Sequence, residues 1–212
     1  MTRVLKFMKV DLRRIRRFLW IALFPVIAVV VMATDGEVSP MFGLVYCLFC
    51  AIFVSGMPYN IEKPEEMGFL QMLPARPGEQ IYGHYLFGFL AVLAAVVVGL
   101  LCGLGVSAVF SRSLSGVDPN LCLALIGGAL LLVGLEYLLL TVFRFNSMQA
   151  MQLLRTVPPL VFFFVIARLS KSFSFEIELP RLNGAVILIV CAAGYALLAA
   201  ISGRVADARG QG

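Results

Sequence analysis

The residues that could carry chemistry are few, and most stand alone. Cys47 and Cys50 form a C-x-x-C, but no second pair follows, and His84 is the only histidine in the chain. A zinc site needs about four such ligands. All five cysteines lie inside apolar runs, which fits cysteine used as a small buried hydrophobe. Ser55-Gly56 offers a nucleophile with no helical histidine to activate it, and Glu65-Glu66 offers paired carboxylates without the later histidines a metal-dependent protease requires. No G-x-x-x-x-G-K-[ST] run exists, so this chain cannot cradle ATP itself. Glu136 is different. It sits in LLVGLEYLLL, where a charge costs several kcal/mol unless it is paired or neutralised, so it is a functional candidate. It has two readings of equal weight: a place on a substrate path, or a helix-packing bond to Arg155, Tyr137 or Asn146.

The elements that would position these residues are set by composition. The chain has 212 residues, of which 61% are hydrophobic and 14% charged, and its mean hydropathy is +0.96. Soluble domains are nearer half apolar and a quarter charged. A soluble fold of this size has too little interior for so much apolar surface. Lipid is the solvent that suits it. The sequence therefore predicts an all-α integral membrane protein, one transmembrane domain over 1–212. Its six apolar stretches fall at about 18–33, 41–57, 85–110, 121–143, 151–167 and 184–202, each near the ~20 residues a crossing needs. Pro158 and Pro159 fall in the fifth. They free backbone carbonyls and bend that span, either as a plain kink, the favoured reading, or as a flexible point on a translocation path with Arg155.

Net charge is +5, and its distribution decides its meaning. Arg3, Lys6, Lys9, Arg13, Arg14, Arg16 and Arg17 all precede the first span. Residues 1–17 interleave them with apolar residues, which makes a basic amphipathic helix lying along the inner leaflet. That clustering, with no nucleic-acid reading module, excludes a nucleic-acid partner. Asp35 and Glu37 follow Ala33 where a signal-peptide cleavage site would need small residues, so the segment is read as retained. With both termini placed inside, only Arg112, Arg168, Lys171 and Arg181 of the 17 Lys and Arg residues fall outside. The reverse orientation would invert the rule that positive charge stays cytoplasmic.

The longest inside connection, 58–84, is PYNIEKPEEMGFLQMLPARPGEQIYGH. Pro64-Glu65-Glu66 reads as a helix start, and Phe69, Leu70 and Leu73 follow at helical spacing. Pro74 and Pro77-Gly78 end that short helix, and a second leads from Glu79 into the third span. The result is a cytoplasmic elbow with apolar, acidic and basic faces. It suits headgroups or a soluble partner. In the last outside loop, 170–183, Phe173, Phe175, Ile177 and Leu179 alternate with polar residues, so it lies in the interface or dips back in. Gly99-x-x-x-Gly103 is a small-residue packing pattern, placed at a helix contact or a dimer seam.

Residues 65–87, EEMGFLQMLPARPGEQIYGHYLF, resemble the first cytoplasmic loop of ABC-2 type transporter permeases. The family's turn appears as Leu73-Pro74-Ala75-Arg76, and its later piece as Ile81-Tyr82-Gly83-His84-Tyr85, with His84 where a lysine is usual. Residues 140–155, LTVFRFNSMQAMQLLR, resemble the loop before the family's fifth span, with Arg144-Phe145-Asn146 in place of a lysine-phenylalanine-glycine. The resemblance implies the membrane subunit of a bacterial ABC exporter in the plasma membrane. It would pair with a second copy or a homologous permease, amid membrane lipids. A separate ATP-binding cassette ATPase would hold the ATP and Mg, and this chain would bind no cofactor. It also implies that 58–84 is the coupling segment. Glu62, Glu65, Glu66, Phe69, Leu70, Leu73, Arg76 and Glu79 are then the candidate ATPase contacts. Small family members often move amphipathic or antimicrobial peptides. Two other classes compete: an intramembrane enzyme or protease, which needs paired polar residues at one depth, and a non-transporting scaffold, which predicts no ATPase partner.

Overall fold

The computed structural model describes residues 2–16, 27, 41–58, 76–109, 118–143, 156–162, 164 and 183–210. Among the described residues every regular element is a helix. They are α1 (Thr2–Ile15), α2 (Met41–Ser55), α3 (Pro77–Val109), α4 (Pro119–Val142) and α5 (Gly184–Gly210). Residues 156–162 are also helical, with Pro158 and Pro159 both buried.

Three helices are long and apolar enough to cross a membrane: Pro77–Gly105, Pro119–Val142 and Gly184–Arg209. Their outward faces carry large apolar side chains. Leu101 is 63% exposed, Ile189 68% and Leu197 62%. Such a band is a liability in water and the natural surface in lipid. α1 is of another kind. Its buried Asp11 and Ile15 and half-buried Val4, Phe7 and Met8 recur every three or four residues, while Arg3, Lys6, Lys9, Arg13 and Arg16 are exposed.

α2, α4 and α5 run parallel to one another, and α3 runs against them. α4 lies along α5, and α2 along α3. The core is the apolar seam between them, built on Leu44, Leu48, Ile52, Val92, Ala129, Val133 and Tyr137. Gly99 and Gly103 lie at the α2–α3 contact within the chain, which is the helix-contact reading of the pattern. A Cβ on Gly99 would stand 2.7 Å from the Leu44 Cα.

Two element boundaries differ from the sequence reading. The short helix expected from Glu79 and the third span are one helix starting at Pro77, about 50 Å long. Pro77 takes the first helical position, and Glu79 accepts the Arg76 backbone N–H at 3.2 Å, so the helix is capped there. The last helix runs past Ser202 to Gly210 because its polar end is tied to its neighbours, as described below.

The first span at 18–33, apart from Ile27, lies outside the described residues, as do 59–75 and 170–182. So the coupling candidates Glu62, Glu65, Glu66, Phe69, Leu70 and Leu73, and also Arg155, lie outside them.

Candidate functional site

The stretch 76–85, where the chain leaves the proposed coupling segment and becomes α3, is gripped by three other helices. Arg76 is exposed beside the cap. Glu79 accepts the Arg76 N–H and also lies 3.7 Å from the Arg3 guanidinium of α1. That pair is solvent-facing, so it contributes little by itself.

A stronger joint lies two turns further. His84 Nδ1 is 2.6 Å from Asp11 Oδ2 of α1, and both side chains are 2% exposed. With the Nδ1 proton present, imidazole donates to the carboxylate in either charge state. Removing one member of such a buried pair costs about 3–5 kcal/mol, because the other stays behind without it. Gly83 makes the approach feasible, since a Cβ there would stand 2.6 Å from the Phe7 Cβ. α1 therefore crosses the base of α3 in direct contact with its backbone.

α5 grips the other side. The Gly78 N–H donates to the Asp207 carboxylate at 2.8 Å. This places an anion on an α3 N-terminal amide that has no intrahelical partner. Arg209 Nη1 donates to the Thr141 and Val142 carbonyls, each at 2.9 Å, and so places a cation at the C-terminus of α4. Two opposite charges, two residues apart on α5, thus each meet a helix end of matching polarity.

Inside the bundle a tyrosine network joins the same helices. Tyr85 Oη donates to the Gly134 carbonyl of α4 at 2.9 Å. That uses its one proton, so the Ser202 hydroxyl of α5, 2.8 Å away, is the donor to it. Tyr195 of α5 donates to the Tyr85 carbonyl at 2.5 Å, and Tyr137 of α4 to the Ser55 carbonyl at the end of α2 at 2.8 Å. Tyr85 is the centre, packed edge-on against both Tyr137 and Tyr195 with ring centroids 5.1 and 5.2 Å away.

Glu136 is fully buried, next in sequence to Tyr137. It lies roughly 10 Å from the C-terminal end of α4, about the depth counted from the sequence. Pro158 and Pro159 are buried in the 156–162 helix. Of the coupling candidates, the structure brings Arg76 and Glu79 together at the α3 cap. Asp11, Tyr195, Ser202 and Asp207 have no role in the sequence reading, and Tyr85 enters it only as the end of the Ile81–Tyr85 piece. Asp11 had a signal, as the one acid in a basic run. Asp207 had none, since its partner is 129 positions away.

The arrangement is mechanical. Among the described residues no three His, Cys, Asp or Glu side chains gather as metal ligands would. What the site can do is carry a displacement of the α3 N-terminus into α1, α4 and α5 together. A family model described as "ABC-2 family transporter protein" matches residues 6–206. No curated protein and no solved structure matches the chain. With nearly its whole length matched, its long apolar helices and its joined cluster at the base of α3, the chain belongs to the ABC-2 transporter family and is a multi-pass membrane permease subunit of an ABC transporter.

Proposed function

We propose that this permease is half of a bacterial plasma-membrane exporter, driven by a separate ATP-binding cassette ATPase that docks on residues 58–84. The single observation that carries the reading is the grip on residues 76–85. The chain leaving the proposed docking segment enters α3 already tied to α1 through Asp11–His84 and to α5 through Gly78–Asp207. A push on that segment would move three helices as one body, which is what a motor under the membrane requires. ATP and Mg stay with the ATPase. The end of the bundle that bears α1 and the last turns of α5 is the cytoplasmic one, which agrees with the charge asymmetry of the loops.

Glu62, Glu65, Glu66, Phe69, Leu70, Leu73 and Arg76 are the proposed ATPase contacts, and Glu79 holds the helix start behind them. Two copies, or this chain and a homologue, enclose the path. Its apolar walls suit an amphipathic or hydrophobic cargo, antimicrobial peptides among them. Glu136, Arg155, Pro158 and Pro159 are the proposed path or packing residues.

The test is co-purification from mild detergent with the chain tagged. An ATP-binding cassette subunit should accompany the wild type, and Leu70→Asp and Arg76→Glu should each lower its yield at least tenfold. If no ATPase accompanies the wild type in several detergents, the chain has no motor and the scaffold reading replaces this one.

A further inference from the structure

A cleft of about 360 Å³ lies where α1 passes under α2 and α3. Its described lining is apolar throughout, and Leu12, Ile15, Cys47, Leu90, Ala94 and Val98 define it. Leu90, Ala94 and Val98 follow one another by four residues and form a ridge about 12 Å long up α3. Leu90 is 40% exposed and Val98 38%, so the cleft opens sideways along the bundle and is not sealed. Dry apolar space of this kind forfeits contacts on one side, and within a bilayer hydrocarbon is what supplies them.

The mouth is chemically marked. Met8, Leu12 and Ile15 form its α1 wall, and Lys9 and Arg16, each one position beyond a lining residue and seven apart on one face of the helix, are exposed. α1 has a single carboxylate, and that is Asp11, turned inward onto His84. The charged residues on the exposed face of the helix are therefore all cations, interleaved with Leu5, Val10 and Leu12. A hydrocarbon slot ending at a purely cationic rim matches one class of molecule in both its parts.

We infer that this cleft seats one acyl chain of an anionic phospholipid, with its phosphate held by Lys9 and Arg16. The lipid braces α1 against α3 beside the Asp11–His84 joint. The inference rests on α1 lying in the plane of the membrane, and does not depend on what the permease carries.

Trp20 is the only tryptophan in the chain, so a reporter can be installed cleanly. In a Trp20→Phe, Leu12→Trp protein reconstituted in phosphatidylcholine vesicles, quenching by chain-brominated phosphatidylglycerol is compared with quenching by chain-brominated phosphatidylcholine. The phosphatidylglycerol should half-quench at a mole fraction about 25-fold lower, since each of the two basic residues near the surface is worth about fivefold in anionic-lipid affinity. Adding Lys9→Gln and Arg16→Gln should bring the two lipids to parity. Adding Ala94→Phe, which fills the slot with the charges intact, should abolish the preference while the melting temperature holds. Ala94→Leu is the milder filler if the larger side chain prevents folding. Equal quenching by both lipids in the parent overturns the site. So does a preference that survives slot filling, which would be diffuse attraction to a basic helix. Quenching by neither lipid overturns the in-plane placement of α1 itself and leaves the transport reading untouched.

Discussion

His84 stands where the resemblance to the family's loop leads one to expect a lysine, and its contact with Asp11 gives that exchange a physical reason. The position faces Asp11 across a gap that excludes water, and any side chain there must donate to a carboxylate. Lysine and histidine both can. His84→Lys should therefore keep the fold within about 1 kcal/mol of wild type, whereas His84→Leu should cost about 3–5 kcal/mol by leaving the carboxylate buried without its donor. Joining His84→Leu to Asp11→Leu should recover most of that loss, since an apolar pair of similar volume is often neutral. Thermal melting in detergent reads all three. Simple additivity of the two single losses would mean that the side chains are not coupled, and would remove the joint from the mechanism. Tyr85 is read the same way. Tyr85→Phe takes away a donor to the Gly134 carbonyl and an acceptor for Ser202, and should cost about 1–2 kcal/mol, near the upper end of what hydrogen bonds contribute between membrane helices.

At the scale of elements, the last turns of α5 matter more than their polarity implies. Asp207 and Arg209 each satisfy another helix's unpaired backbone ends. Asp207→Ala and Arg209→Ala should each lower stability by about 1 kcal/mol, and additively, because they cap different helices. A truncation after Ser202 would lose both at once. The α2–α3 contact is governed by steric limits. Gly99→Val should cost about 1–3 kcal/mol or more by driving a side chain into the Leu44 backbone. Gly105→Ala should be close to neutral, since nothing lies within 4 Å of the added carbon. Urea or thermal melts of the pair separate the two cases. A Gly99→Val variant as stable as wild type would mean that the close approach to Leu44 does not limit this contact.

For the whole molecule, α1 and the end of α5 meet at the base of α3, so the two ends of the described chain share one face of the bundle. A cysteine at Thr2 and one at Gly212, in a background with the five native cysteines replaced, should both react with a membrane-impermeant maleimide in inverted vesicles and neither in intact cells. Labelling of one end in each preparation would break the even number of crossings and the proposed sidedness together. The same geometry explains how a motor could act on so apolar a body. A polar, patterned segment leads into α3, which among the described helices runs against α2, α4 and α5 and is tied to α1 and α5.

Much of this was legible in the sequence because lipid imposes one-dimensional rules. Hydropathy over about 20 residues marks the three long apolar helices, and a basic amphipathic pattern marks α1. α4 begins within two residues of the expected span and α5 at the expected residue. The family followed from a local motif for the same reason, since Leu73-Pro74-Ala75-Arg76 and Ile81–Tyr85 are contiguous. The burial of Glu136 was legible too, from its apolar flanks. What only the tertiary structure decided are pairings across long stretches of chain: Asp11 with His84, Gly78 with Asp207, Tyr85 with Ser202, and Gly99 with Leu44. A hydrogen bond leaves no periodicity in its own segment. Its partner is set by how helices cross, and crossing is decided by the packing of whole faces.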